Sequence, residues 1–115
     1  VNAESNKLTR QIFMLCNINM AISKYKEDVG VYPNQNEGLV LLNKNLNRLD
    51  EWKGPYLHFG YDKDVWGGDY IYKINKDSFL LYSIGANQID DQGKADDLLL
   101  TKDLCLEETI KQSIN

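Results

Sequence analysis

The sequence predicts an α/β chain of the α+β kind, with one long N-terminal helix packed on a small antiparallel sheet. Three observations predict it. From about Asn6 to Val29 there is no Gly or Pro, and Leu8, Gln11, Leu15, Ile18, Ile22, Tyr25 and Val29 recur at spacings of three and four. That spacing lines up one face of an α-helix. Further on, Asp69 to Ile74 and Ser78 to Ile84 carry the β-branched and aromatic residues that suit strands. Asn75-Lys76-Asp77 lies between them as a turn, so a hairpin follows.

The helical stripe is broken once, by Gln11, while Lys7, Arg10, Lys24, Lys26 and Glu27 fall away from it. Gly30 is placed to end the helix and Pro33 to prevent its resumption. Phe13, Met14 and Met20 lie off the main stripe. They either widen the core face or form a second flank that meets neighbouring subunits. A 24-residue helix is about 36 Å long, which favours an N-terminal end that protrudes beyond a small head.

Polar residues at Asn36 and Glu37 precede Leu39-Val40-Leu41-Leu42, so a short capped helix is expected, weakened by Gly38. Trp52 to Leu57 reads as an irregular connection with large apolar anchors, and Pro55 biases Gly54 away from helix. An isolated hairpin needs a helix or a third strand to be stable, and the long helix is the evident cover. Leu98-Leu99-Leu100 leads into a short terminal helix expected to begin near Thr101.

At 115 residues the chain fits one domain, and no repeat or linker divides it. Thirteen basic and seventeen acidic residues give a formal charge of −4, and no basic cluster is interleaved with aromatics, which argues against nucleic acid as a partner. No run of eighteen apolar residues is present, so the chain as given does not cross a bilayer. Cys16 and Cys105 are the two cysteines. They suit either one long-range disulfide in an oxidising compartment or two unrelated buried thiols. The expectation carried forward is the disulfide.

Catalysis finds little support. His58 is the one histidine and has no Ser or Cys at nucleophile spacing, Cys16 lacks a C-x-x-C partner, and no nucleotide-binding loop is present. A non-enzymatic role is expected. The richest chemistry lies after the second strand, where Asn87, Asp90, Asp91, Asp96 and Asp97 place short oxygen-bearing side chains around Gly85 and Gly93. Such oxygens suit a hard cation such as Ca2+, and the same residues are ordinary turn formers. The hand-like calcium-loop spacing is absent.

Five segments in order carry a resemblance. They are Gly30-Val31-Tyr32-Pro33, Asn36-Glu37-Gly38-Leu39, Trp52-Lys53-Gly54-Pro55-Tyr56-Leu57, Lys63-Asp64-Val65-Trp66-Gly67-Gly68-Asp69-Tyr70 and Tyr82-Ser83-Ile84-Gly85-Ala86-Asn87. With the stem helix before them and the acidic loop after them, the resemblance covers roughly positions 8 to 98. The segments resemble those of the major pseudopilins of bacterial type II secretion, relatives of type IV pilins. The resemblance implies a single periplasmic domain over 1–115, with a stem helix at about 6–29 and a head at about 30–115. It also implies an inner-membrane anchor formed by a helix upstream of Val1, and a filament subunit serving the general secretion pathway.

The implied partners are further copies of the chain through the N-terminal stem, other pseudopilins and inner-membrane secretion components. The family's calcium site implies a metal set of Ile84 and Ala86 through backbone carbonyls, with Asn87, Asp96 and Asp97 through side chains. The chain departs from the family at Asn87, which stands where an aspartate is usual, at Val65 and Asp69, which replace prolines, and in its Cys105 extension. Its rivals are a type IV pilin or minor pseudopilin, and a soluble calcium-dependent binding module.

Overall fold

The computed structural model describes residues 3–57, 63–92, 97–99 and 105; the side chains of residues 3–6 and of Leu98 are not among them. Helix α1 runs Ala3–Val29, followed by a 3-10 helix at Gly38–Leu42 and strands β1 (Ile71–Asn75), β2 (Ser78–Ser83) and β3 (Leu98–Leu99). The expected α+β arrangement is what the chain adopts.

The three-and-four stripe of α1 is the core. Leu15, Ile18, Ala21, Ile22 and Tyr25 are buried together with Leu41, Leu42, Leu57, Tyr72 and Leu81. Helix, 3-10 turn and sheet therefore share one apolar cluster. Leu8, at the N-terminal end of the stripe, is exposed, which agrees with a stem that outruns its head. The Gly30 N–H closes on the Lys26 carbonyl at 2.8 Å. Gly30 has φ +95°, a left-handed conformation that a side chain would strain.

The expected short helix between Asn36 and Leu49 is a single 3-10 stretch. Its entry is held by Asn34, whose Oδ1 accepts the Glu37 N–H at 2.7 Å. Gly38 has φ +60°, outside the α region, so an α-helix cannot run through it. Leu41 and Leu42 still reach the core because the apolar pair needs only one turn to point inward.

The following segment sews this turn to the end of α1. Tyr56 and Leu57 donate backbone N–H groups to the Leu42 carbonyl at 2.7 and 3.2 Å. The Trp52 indole N–H donates to the Leu41 carbonyl at 2.8 Å, and the Trp52 and Tyr56 rings meet edge to face. The Tyr56 hydroxyl donates to Asp28 Oδ2 at 2.8 Å. Gly54 sits so close to its neighbours that an added Cβ would lie 2.7 Å from Trp52 and 2.8 Å from the Tyr56 nitrogen. The Trp-x-Gly-x-Tyr-Leu spacing thus places two aromatic anchors on either side of a residue with no room for a side chain.

Strands β1 and β2 pair antiparallel from Ile71 opposite Tyr82 to Asn75 opposite Ser78. Gln35 Oε1 accepts the Ile74 N–H at 3.0 Å and so occupies a donor on the open edge of β1. The hairpin does not rely on α1 alone. Leu98–Leu99 forms β3, antiparallel to β2, with Tyr82 opposite Leu99 and Ser83 opposite Leu98. A leucine run without alternation gave no strand signal, and the pairing supplies one. The expected terminal helix lies outside the described residues except at Cys105, which is helical. Cys105 is bonded to Cys16, with their Cα atoms 5.5 Å apart, so the expected long-range disulfide is present.

Candidate functional site

Two buried polar side chains build the platform under the acidic loop. Gln11, the one break in the α1 stripe, is fully buried. Its Nε2 donates to the Tyr70 hydroxyl and its Oε1 accepts the Val65 N–H, both at 2.7 Å. Asp64, also buried, receives the Trp66 N–H at 3.0 Å and the Gly68 N–H at 2.8 Å on Oδ1. Its Oδ2 accepts the Ser83 hydroxyl at 2.9 Å, and Ser83 Oγ accepts the Gly85 N–H at 3.1 Å. A line of bonds therefore runs from the stem, through the 64–68 turn, to the end of β2 and the root of the loop.

Above that root, the loop is cross-tied through its own oxygens. Asn87 Oδ1 accepts the Ile89 N–H at 2.9 Å, and Asn87 Nδ2 donates to Asp91 Oδ2 at 3.1 Å. The Asp91 N–H donates to Asp97 Oδ2 at 2.9 Å. Asp90 Oδ1 accepts both the Tyr82 hydroxyl at 2.7 Å and the Gln92 N–H at 2.9 Å. Burial pushes the Tyr82 phenol up to about 12, reinforced by its bond to Asp90. The same bond, with that from Gln92, holds the Asp90 carboxyl below its usual value. At neutral pH the pair is a neutral phenol donating to a carboxylate.

Of the residues expected around a metal, Asn87 and Asp97 are brought together through Asp91, which sequence reasoning did not include in the set. Ile84 directly follows β2 and Ala86 lies exposed in the turn after it. Asp96 lies outside the described residues, as does His58. Among the described residues no three His, Cys, Asp or Glu side chains form a group able to hold a metal ion. Asn87, Asp91 and Asp97 carry oxygens of the kind a hard cation takes, and here those oxygens accept hydrogen bonds from the loop's own N–H groups.

Gln11 and Asp64 were missed as site-building residues. A Gln placed within an apolar stripe was the available signal for the first. For the second it was an Asp two and four residues before backbone donors at Trp66 and Gly68.

No helix among the described residues is long and apolar enough to cross a membrane. No curated protein matches the chain. The model of the family described as type II secretion system (T2SS), protein G, matches residues 2–101, which takes in α1, the 3-10 turn, all three strands and the acidic loop. The chain belongs to the type II secretion system protein G family.

Proposed function

We propose that this chain is a structural subunit of a type II secretion pseudopilus, supporting protein export across the outer membrane. The observation that carries the reading is the family match over residues 2–101, coupled to a stem helix that buries one face and leaves Phe13 and Met20 exposed on another. The family is a component of the secretion apparatus and not an enzyme family, so the role is mechanical. The stem packs against the stems of further copies and of other pseudopilins, in contact with inner-membrane secretion components. The head stands in the periplasm and the anchor in the inner membrane, a compartment that suits the Cys16–Cys105 bond. Removing the gene should strand exported proteins in the periplasm, and the chain should be recovered in filaments sheared from cells with an active system. Unchanged export, with the chain absent from filaments, would overturn the proposal. Assembly into surface pili in place of secretion filaments would favour the type IV pilin reading.

The acidic loop is proposed as a calcium site within that subunit, because Asn87, Asp91 and Asp97 are already joined in one hydrogen-bonded group. Asn87 and Asp97 would hold the ion with Asp96 and the carbonyls of Ile84 and Ala86, and the ion would offset repulsion between the carboxylates. Chelator-stripped protein should then bind Ca2+ in preference to Mg2+ by calorimetry, and Asp97→Ala should remove most of the heat. No heat and no thermal stabilisation across millimolar Ca2+ would show a loop closed by hydrogen bonds alone.

A further inference from the structure

A groove of about 650 Å³ runs beside the C-terminal half of α1, between the helix and residues 53–57. Met20, 67 % exposed, gives it apolar surface above the buried Ala21 and Leu57. Lys24 and Lys53, both exposed, put two ammonium groups along it. Lys24 lies 3.6 Å from Glu27 and 3.9 Å from Asp28, loose pairs that water screens and that a better partner can replace. The acid that also lines the groove, Asp28, is engaged by the Tyr56 hydroxyl.

The complementary shape is on the same chain. Ile89 is 59 % exposed at the tip of the acidic loop, and Asp90 beside it is exposed too. The Ile89 N–H is fixed to Asn87, and the Asp90 carboxylate is fixed by the Tyr82 hydroxyl and the Gln92 N–H. A β-branched side chain next to a pre-oriented carboxylate loses little freedom on docking.

Within one molecule the loop's root and the groove are tied to different levels of α1. The bonds Gln11–Val65, Asp64–Ser83 and Ser83–Gly85 tie the loop's root to the level of Gln11 on α1. The bond from Tyr56 to Asp28 ties the far wall of the groove to the other end of the helix. Met20 and Lys24, which line the groove, stand nine and thirteen helical positions beyond Gln11, about 14 and 20 Å along the axis.

Resting on the filament reading above, we propose that the groove is a docking site for a second copy of this chain, entered by that copy's Ile89–Asp90 tip. Ile89 meets Met20 while Asp90 meets Lys24 and Lys53. The two surfaces differ, so the contact is head-to-tail and repeats from copy to copy without closing on a two-fold axis. Charge complementarity selects the orientation.

The test is site-directed crosslinking of the full-length protein in cells with an active secretion system. Ile89→Cys and Lys53→Cys chains are expressed singly and together, with links located by peptide mapping. The expected result is a covalent dimer joined 53 to 89 in the mixed sample, its absence from either single sample, and a marked loss of the link when Lys24→Glu is added to the Lys53→Cys chain. Filaments and export without a 53–89 link, or links from position 53 to another subunit or another segment, overturn this contact and leave the filament reading standing. A 53–89 link between copies that never enter filaments supports the contact and overturns the filament reading.

Discussion

Asp64 receives three hydrogen bonds in a setting almost closed to water, and Gln11 spends both ends of its amide on the same neighbourhood. Removing either leaves buried donors without acceptors, which is costlier than losing an exposed bond. Asp64→Ala should lower unfolding stability by about 3 kcal/mol or more, and Gln11→Leu by about 1–3 kcal/mol. Asp64→Asn should lie between Asp64→Ala and wild type, because one oxygen survives to accept. Urea titration of the purified chain checks all three, and equal costs for Asn and Ala would contradict the hydrogen-bond account. These roles were hidden in the sequence because a polar side chain does not name its partner: Gln11 meets Val65 54 positions away. Tyr82 and Asp90 add a pH dependence with two signs. The raised phenol contributes stability below pH 10.0 that is lost as pH climbs toward about 12. The lowered carboxyl contributes stability above pH 3.8 that is lost as pH falls through its folded value. Tyr82→Phe should therefore flatten both wings of a stability-against-pH curve, and a curve that keeps both slopes would rule the pair out as their source.

At the scale of elements, the stem was legible because its apolar residues repeat at 3.6 residues, a period that burial imposes. The hairpin was legible because two runs of β-branched and aromatic residues flank a turn, although β2 buries Leu81, Tyr82 and Ser83 in succession. The hairpin boundaries moved by a residue or two, with β1 at Ile71–Asn75 and β2 ending at Ser83. The 3-10 turn and β3 were less legible for different reasons. Gly38 at φ +60° interrupts a run whose composition suits a helix. Leu98–Leu99 becomes a strand only because Tyr82 and Ser83 present a free edge to it. A chain segment recruited this way needs an anchor, and the Cys16–Cys105 bond supplies one from the middle of α1. Closing a loop across a separation of 89 residues stabilises a fold by about 4–5 kcal/mol in the chain-entropy model. Cys16→Ser with Cys105→Ser should lower stability by about that amount. Hydrogen exchange should at the same time lose protection first at Leu98 and Leu99, next to the released segment. Unchanged melting and exchange would show that β3 holds without the bond.

Across the whole molecule, the proposed assembly draws on the side of α1 opposite the one that folding uses. Leu15, Ile18 and Ile22 are wholly buried in the chain's own core, whereas Phe13 and Met20, seven residues apart, are 41 % and 67 % exposed. Seven residues is close to two turns, so both stand on one face, turned away from Ile18 and Ile22. Both side chains leave apolar surface in water that a neighbouring stem would cover. The two faces therefore separate by mutation. Ile18→Ala should cost about 2–5 kcal/mol by opening a cavity. Phe13→Ser should cost less, about 1 kcal/mol, because its ring is only partly covered by its own chain, while reducing filament incorporation and export in cells. Phe13 is the cleaner choice of the pair because it does not line the groove beside residues 53–57, so its effect reads stem packing apart from any contact made there. A Phe13→Ser chain that assembles and exports normally would place the stem interface on a different face. One that loses as much stability as Ile18→Ala would mean that Phe13 serves the fold after all.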